Sequence, residues 1–306
     1  MKKILSLILT SVIILSVFAG CTSKNSSVIP YNSLYDFASY ESDVLYDIEP
    51  VRLSGELSKS CVSYKFTYLS DYCEVKGYIS IPLACIENST PAKCILYNRG
   101  GNRNIGLLTD ESTAVICSSV NRIVIASQYR GTDGGTGNDE FGGKDLKDVT
   151  TLTDLCENTF EFVDMTDFCV AGVSRGGMMS YMAARTDKRI KGIIAISAVS
   201  DLAKAYEERE DMKNILENSI GGSPTDLPDE YEKRSAICWA DEIKVPVLMI
   251  HSKLDEMVSY SQAESLYSEF QKNKLDCTFI TYDDDVHGLH TEDTEKINSW
   301  LKETFG

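Results

Sequence analysis

The sequence predicts an α/β fold, in which a mostly parallel, twisted sheet with an N-terminal antiparallel hairpin carries helices on both faces. In residues 62–81, apolar and polar residues alternate on either side of Ser70 and Asp71, which indicates a hairpin. From residue 93 onward, short apolar runs alternate with longer amphipathic segments, as strands and helices do in a parallel sheet. The chain has 306 residues, 43% of them hydrophobic, so it can bury a sizeable core.

Each later element follows from its own local pattern. Pro82 ends the hairpin, because proline cannot continue a hydrogen-bonded ladder. The predicted strands are 93–97, 122–128, a run that ends at Gly172, 190–198, 246–251 and 277–282. The predicted helices are 148–163, 178–185, 201–217, 261–272 and 293–304. Crossovers of this kind are right-handed and bring the loops at the carboxyl ends of the strands to one edge of the sheet, where sites are built.

The charge of the chain excludes one large class of partners. With 46 acidic and 30 basic residues, the formal net charge is −16, and no basic patch is available to bind phosphates. Such a surface repels nucleic acid, so we expect no nucleic-acid partner. No internal repeat or low-complexity tract is visible.

The N-terminus has the pattern of a targeting segment. Lys2 and Lys3 precede an apolar stretch, 4–18, which is too short for a typical membrane span. The following Phe18-Ala19-Gly20-Cys21 resembles the lipobox of bacterial lipoproteins, although Phe18 stands where leucine is usual. The resemblance implies that Cys21 becomes the lipidated first residue of the mature chain. An uncleaved anchor helix or ordinary secretion is the alternative.

This pattern predicts three regions. Residues 1–20 form a lipoprotein signal peptide, 21–60 a tether and N-terminal arm, and 61–306 the α/β domain. The protein is then extracytoplasmic and lipid-anchored to a bacterial membrane through its N-terminus. The sequence leaves its oligomeric state open.

Ten cysteines occur, nine of them after Cys21, and an odd number cannot all pair within one chain. Several lie in apolar stretches, where cysteine behaves as a small hydrophobe. No C-x-x-C motif occurs, which disfavours a zinc or thioredoxin-like site. We expect mostly free, buried thiols, with one or two disulfides, such as Cys61 with Cys73, as the alternative.

The stretch 168–177 carries the principal functional motif. An apolar run that predicts a buried strand ends at Gly172, and Ser174 follows before a predicted helix. Gly-x-Ser-x-Gly between a strand and a helix is the pattern of a nucleophile elbow, a turn so tight that its flanking residues lack side chains. The elbow exposes the hydroxyl and leaves the Arg175 backbone N–H, at the helix N-terminus, to bind a developing oxyanion. A purely structural turn is the alternative.

A serine nucleophile needs a base, and only three histidines are available: His251, His287 and His290. His287 follows the last predicted strand, on the same sheet edge as Ser174, and is the predicted base. His251 ends a strand and is interpreted as a loop-positioning residue. His287 and His290 lie on a loop that lacks the fixed face of a helix, so we expect no metal site, and His290 becomes surface or pocket wall.

The base needs an acid to fix its tautomer, and Asp255 follows the strand before the last one. Glu256, its neighbour, is the alternative. The order Ser174, Asp255, His287 along the chain is that of the α/β-hydrolases.

The second oxyanion donor is expected in the loop after the strand 93–97. Gly100 and Gly101 occur there, and close approach of a backbone requires residues without side chains. A plain tight turn is the alternative interpretation of these glycines.

Taken together, these motifs resemble the peptidase domain of the prolyl oligopeptidase family of serine hydrolases, over roughly residues 60–306. The resemblance implies a Ser-Asp-His triad at Ser174, Asp255 and His287, an acyl-enzyme intermediate and no cofactor. The residues that carry it are Arg99-Gly100-Gly101 (for the family's His-Gly-Gly), Tyr129-Arg130-Gly131, the elbow from Gly172 to Gly177, Gly221-Gly222 with Tyr231 and Arg234-Ser235, Ile250-His251 to Asp255, and His287-Gly288.

The sequence departs from the family in one respect that bears on substrate. Family peptidases usually carry a β-propeller ahead of the hydrolase domain, whereas fewer than about forty residues separate Cys21 from the hydrolase domain here, too few for the four-stranded blades of a propeller. We therefore expect a propeller-less enzyme. Two smaller departures are Arg175 after the serine and Ser252 after His251.

The predicted function is a serine hydrolase that cleaves an ester or amide of a small ester or peptide substrate, with an esterase preferred. An aminopeptidase or oligopeptidase of the family type is the first alternative, and a catalytically inactive binding lipoprotein the second. Residues 201–245 are expected to overhang the site. Arg175 beside an open pocket would favour an acidic substrate, with a surface salt bridge as the alternative.

Overall fold

The protein, described by a computed structural model over residues 33–306, is built around one nine-stranded sheet. The predicted signal peptide and Cys21 lie outside the described residues. The strands, in chain order, are β1 (Leu45–Val51), β2 (Cys61–Ser70), β3 (Cys73–Pro82), β4 (Ala92–Asn98), β5 (Ile123–Ser127), β6 (Val163–Val173), β7 (Gly192–Ile196), β8 (Val247–Ser252) and β9 (Cys277–Tyr282).

Helices connect most of the strands and cover the sheet. They are α1 (Leu57–Ser60), α2 (Leu83–Asn88), α3 (Ser112–Val120), α4 (Leu146–Asn158), α5 (Arg175–Thr186), α6 (Leu202–Glu208), α7 (Glu210–Ile220), α8 (Pro228–Lys233), α9 (Tyr260–Lys272) and α10 (Asp293–Phe305). Short 3₁₀ segments lie at Ser33–Tyr35, Phe37–Tyr40 and Ala236–Glu242.

The strand order is β1-β2-β3-β5-β4-β6-β7-β8-β9. The pairs β1–β2, β2–β3 and β3–β5 are antiparallel, and the pairs from β5–β4 to β8–β9 are parallel. The predicted fold class, with its N-terminal hairpin and mostly parallel sheet, is confirmed. Because the chain passes from β4 to one side and then to the other, β4 lies between β5 and β6, and the loops after β4 and β6 diverge there, as at the ligand-binding switch point of open α/β sheets.

Two elements differ from the sequence-based expectation. β1 lies within the segment 21–60, for which only an arm was expected, and it adds an edge strand to β2. The charged helix predicted over 201–217 is two helices, because Arg209 leaves the helical region (φ −123°, ψ 93°) between α6 and α7.

The main core lies between the sheet and the helices on one face, and a second cluster on the other face packs β6–β8 against α10. Five cysteines are buried, and the nine cysteines of the described residues are all free thiols, as expected. The alternative disulfide between Cys61 and Cys73 is wrong. Cys61 pairs with Pro82 and Cys73 with Ser70, at opposite ends of the β2–β3 ladder, which at about 3.3 Å per residue separates the two thiols by roughly 30 Å.

Within residues 33–306, no helix has the length and apolar character that crossing a membrane requires.

Candidate active site

The turn between β6 and α5 has the backbone geometry of a nucleophile elbow. Ser174 has φ 58° and ψ −122°, a conformation that side-chain-bearing residues rarely adopt. The turn is closed by glycines: a Cβ on Gly176 would lie 1.9 Å from the Asn98 carbonyl oxygen, and one on Gly172 would lie 2.3 Å from the Gly176 carbonyl carbon. Only glycine fits at either position, so this turn requires the two glycines that the sequence provides.

The parallel pairing of β4 with β6 brings the predicted oxyanion loop, which we define as residues 99–106, to the nucleophile. Asn98 is in register with Gly172, so the two loops leave the sheet side by side. A Cβ on Gly100 would lie 3.0 Å from the Val173 carbonyl oxygen and 3.5 Å from the Ser174 Cβ. The glycine predicted for close approach therefore lies directly against Ser174.

Arg99 holds the oxyanion loop from within. Its buried guanidinium donates to the carbonyl oxygens of Gln128 (2.9 Å), Gly100 (3.1 Å), Ile105 (3.1 Å) and Arg103 (3.0 Å). In a trans peptide the C=O and N–H point in opposite directions. Because Arg99 binds the Gly100 carbonyl, the Gly101 N–H points away from Arg99, which fixes the orientation of one candidate oxyanion donor.

Arg175 occupies the first position of α5, where its backbone N–H has no intrahelical acceptor. Its side chain is only 1% exposed and forms ion pairs with Asp139 (2.7 Å) and Asp145 (2.5 Å). The guanidinium also packs over the rings of Tyr129 and Phe141. The expectation that this side chain recognises an acidic substrate is therefore wrong, and so is the alternative of a surface salt bridge.

The ion pair with Arg175 favours the ionised form of the buried Asp139. Burial by itself would raise the pKa of Asp139, but the Arg175 guanidinium and the backbone N–H groups of Arg103 and Phe141 lower it to about 2. Because Asp139 accepts from the Arg103 N–H (2.8 Å) and also binds Arg175, it fastens the oxyanion loop to the helix that follows the nucleophile.

The predicted acid and base meet across the loops that follow β8 and β9. His287 Nδ1 lies 2.8 Å from Asp255 Oδ2, and the Asp255 side chain is fully buried. The other carboxylate oxygen accepts the N–H groups of Met257 (2.8 Å) and Val258 (3.1 Å). Burial by itself would raise the pKa of Asp255, but these partners, His287 foremost, lower it, so Asp255 is ionised and holds the Nδ1–H tautomer. That tautomer leaves Nε2 available to take a proton.

The His287 loop is joined to the elbow through Ser197, which follows β7. The Gly288 N–H donates to Ser197 Oγ (3.1 Å). On the same segment, the Ser174 N–H donates to the Ile196 carbonyl (2.9 Å), and the Val199 N–H donates to the Ser174 carbonyl (3.3 Å). The residues next to the base thus bind the segment that holds both sides of the nucleophile.

The remaining candidates take other positions. His251 Nε2 lies 2.8 Å from the Val258 carbonyl, and burial lowers the pKa of His251, so this neutral ring supports the Asp255 loop as expected. Glu256 is exposed, whereas Asp255 binds His287. His290 lies between Asp284 and Asp293 and stacks on Tyr282. No group of three or more metal-ligating side chains is arranged to hold an ion in residues 33–306.

A cleft of about 700 Å³ borders the oxyanion loop. On the opposite side it is bounded by the end of α7 and by Arg234, within the segment 201–245 that was expected to overhang the site. Its polar lining includes Arg103, Asn104, Asn138, Asn218 and Ser219.

Sequence reasoning missed Asp139, Asp145 and Ser197. The two aspartates lie in and just after the glycine-rich loop that follows β5, and nothing local marks them as partners of Arg175, which is 36 positions from Asp139 and 30 from Asp145. Ser197 did carry a usable signal, because it directly follows a parallel strand on the edge where the site was expected.

This fold and this site define an α/β-hydrolase, and comparison with known proteins places it more narrowly. The family model described as the prolyl oligopeptidase family matches residues 109–306. A protein of Bacillus subtilis, the uncharacterized peptidase YtmA, is 28% identical over 246 residues, which are 78% of this chain and 93% of that protein.

Two solved structures show the same fold. The acylaminoacyl peptidase of Pyrococcus horikoshii superposes with a TM-score of 0.67 at 17% identity, over 83% of this chain but only 44% of that one. Acetyl xylan esterase 1 of a Thermoanaerobacterium species superposes with a TM-score of 0.61 at 18% identity, over 87% of this chain and 89% of that one. The chain thus spans less than half of the first enzyme and most of the second.

The chain belongs to the prolyl oligopeptidase family. It is a serine hydrolase of that family.

Proposed function

We propose that the protein hydrolyses an ester or amide bond through an acyl-enzyme on Ser174. His287 acts as the base and then as the acid, and Asp255 orients it. The Arg175 N–H and one N–H of the Gly100–Asn102 segment bind the oxyanion, where a donor of this kind is worth about 2.7–4 kcal/mol. The observation that carries the proposal is the 2.8 Å contact between Asp255 and His287, on loops adjoining the elbow.

The proposed reaction has two stages, acylation of Ser174 and hydrolysis of the acyl-enzyme by water. Ser174 Oγ attacks the carbonyl carbon while His287 Nε2 takes the hydroxyl proton, and the carbonyl electrons move to the oxyanion. The tetrahedral intermediate expels the amine or alcohol, which leaves with the proton from His287. Water then attacks the acyl-enzyme, His287 takes one of its protons, and Ser174 leaves with that proton as the acid product is released.

A fluorophosphonate probe tests whether the serine is activated. We expect the wild-type protein to be labelled and Ser174→Ala to remain unlabelled. His287→Ala should lower turnover by several orders of magnitude while the fold survives, as removal of a triad member generally does. Folded wild-type protein that is not labelled would favour the alternative of a binding lipoprotein, and unchanged activity in His287→Ala would show that the base is misassigned.

A direct comparison of an ester and an amide substrate distinguishes an esterase from a peptidase. The peptidase name of YtmA supports amide cleavage, whereas an esterase is the function preferred from the sequence. We retain the esterase preference and expect a short p-nitrophenyl ester to be turned over faster than an aminoacyl-anilide with the same acyl group. Comparable or faster turnover of the anilide would assign the enzyme to the peptidases.

We also propose that the enzyme is extracytoplasmic, lipid-anchored to a bacterial membrane through Cys21. The proposal is based on the lipobox-like Phe18-Ala19-Gly20-Cys21 alone. Metabolic labelling with an alkyne fatty acid should modify the full chain and not Cys21→Ala. Equal labelling of the two proteins would overturn it.

A further inference from the structure

Exposed apolar side chains are concentrated on the two loops that hold the predicted acid and base. We define the acid loop as residues 253–258 and the base loop as residues 283–290. Eight large apolar side chains of the described residues are exposed, and half of them lie on these loops. They are Leu254 (61%), Met257 (49%), Val286 (37%) and Leu289 (47%), which we call the apolar collar.

Backbone hydrogen bonds hold the two loops side by side. The Lys253 N–H donates to the Tyr282 carbonyl (2.8 Å), and the Leu254 N–H donates to the Asp284 carbonyl (2.9 Å). Arg209 donates to the Met257 carbonyl (2.8 Å), which fixes the far end of the acid loop. The four side chains of the apolar collar therefore lie on two loops that are fixed to each other, one of which carries Asp255 and the other His287.

The chemistry of the proposed reaction indicates where the leaving group lies relative to the apolar collar. In acyl transfer the acyl carbonyl points to the oxyanion donors, and the leaving group lies against the histidine that protonates it. Here the predicted donors follow β4 and β6, whereas His287 and the apolar collar lie on the loops that follow β8 and β9. The leaving group therefore lies on the side of the two loops that carry the apolar collar.

The collar has an acidic border. Glu256 and Asp285 are exposed on the same two loops, and within the described residues the nearby bases pair elsewhere, Lys253 with Asp283 and Arg209 with Asp211. A carboxylate on the leaving group would be repelled by both side chains. An uncharged apolar group meets no such penalty and removes exposed apolar surface from water.

We infer that the apolar collar is the leaving-group subsite and that it selects an apolar amine or alcohol with no carboxylate beside the scissile bond. A peptide cut before an internal apolar residue, or an apolar ester, fits this description. The inference deepens the proposed function and rests on it.

Acyl transfer to an added amine tests the subsite directly, because the amine occupies the leaving-group position in reverse. The acyl-enzyme is formed from p-nitrophenyl acetate, and the partition between hydrolysis and transfer is measured with leucinamide, glycinamide and leucine. We expect leucinamide to capture the acyl group about tenfold better than glycinamide, the factor expected when part of a leucine side chain is buried. Leucine, with its free carboxylate, should capture it less well than leucinamide.

Substitutions in the apolar collar test whether its side chains cause the preference for leucinamide. Leu289→Gln and Leu254→Gln should bring the leucinamide-to-glycinamide ratio close to one. Val115→Gln, which changes a residue on α3 whose exposure (51%) lies between those of Leu289 and Leu254, should keep the wild-type ratio. Equal capture of the two amides by the wild type, or an unchanged ratio in both collar variants, would overturn the subsite while release of p-nitrophenol still reported the hydrolase. Absence of p-nitrophenol release would overturn the proposed function and the subsite with it.

Discussion

Asp255 divides its hydrogen bonds between its two carboxylate oxygens. One oxygen accepts from His287, and the other accepts from the backbone of Met257 and Val258. The backbone contacts fix the carboxylate, so the carboxylate in turn fixes the imidazole. An amide at this position would keep the shape but could present its NH₂ group to His287, which would stabilise the wrong tautomer.

We therefore expect Asp255→Asn to lower kcat by about ten-thousand-fold with little change in melting temperature. Glu256→Gln, which alters the exposed neighbour, should lose far less. Steady-state kinetics with a p-nitrophenyl ester check both. A larger loss in Glu256→Gln than in Asp255→Asn would transfer the role of the acid to Glu256.

Arg99 is a positioning residue for the oxyanion loop, because its guanidinium binds four carbonyl oxygens that include those of Gly100 and Ile105. A lysine keeps the charge but cannot donate in the same planar geometry. We expect Arg99→Lys to lower kcat by up to about a hundredfold, which is the lower end of the loss of one oxyanion donor, and to change KM little.

Arg103→Lys, at an exposed position of the same loop, is the matched variant and should have a much smaller effect on kcat. Melting temperatures separate a positioning effect from unfolding. If Arg99→Lys melts as the wild type does and turns over at the wild-type rate, Arg99 does not orient the donor.

At the scale of elements, α5 is held against the sheet edge by its own glycines. A Cβ on Gly177 would lie 2.3 Å from the Ala198 Cβ, in the segment after β7. The helix that follows the nucleophile therefore packs closely on the segment that also binds the base loop. Volume added at this contact would move Ser174 relative to His287.

We expect Gly177→Ala to lower the free energy of unfolding by about 1–3 kcal/mol, the usual cost of overpacking. The double variant Gly177→Ala/Ala198→Gly removes the opposing methyl group and should recover part of that loss. Denaturant unfolding of the wild type, both single variants and the double variant gives the coupling between the two sites. Strict additivity of the two changes would contradict the contact.

Most of the strands and helices, and the turn that holds Ser174, could be predicted from the sequence. Local periodicity predicts the parallel strands and the elbow, and chain order predicts the sequence Ser174, Asp255, His287. In the structure these three residues follow β6, β8 and β9 at one edge of the sheet. β1 was missed because an edge strand containing Asp47 and Pro50 has weak strand propensity. The break at Arg209 was missed because no glycine or proline marks it; in the structure Arg209 contacts Met257, forty-eight positions away.

The misassigned role of Arg175 has the same origin. An arginine beside a predicted pocket looks available to a substrate, and only the fold brings Asp139 and Asp145 to it. Local sequence patterns carry little information about such long-range ion pairs. They do carry the glycine spacing of the elbow, because Gly-x-Ser-x-Gly between a strand and a helix is a short, contiguous motif.

At the scale of the whole molecule, the net charge of −16 produces a long-range field. Charged substrates are attracted or repelled before they reach the site, and salt screens this field over about 10 Å at 0.1 M. The field acts on association and therefore on kcat/KM.

We expect salt to lower kcat/KM for an ester or anilide of lysine and to raise it for the glutamate counterpart, with little change for the uncharged alanine compound. The three compounds are compared between about 0.01 M and 0.5 M salt, where screening differs several-fold. A parallel response of all three would indicate a general effect of salt on the enzyme and no steering.

β1 is an edge strand of the sheet, and several of its features disfavour the addition of a further strand. Its pairing with β2 is interrupted by a register shift between Tyr46 and Glu49, it contains Pro50, and it exposes the acidic side chains of Asp47 and Glu49. Bulges, prolines and charges are the means by which proteins keep a free strand from templating another chain. A continuous intermolecular sheet across β1 is consequently disfavoured. Molecules at high concentration would not associate through this edge strand.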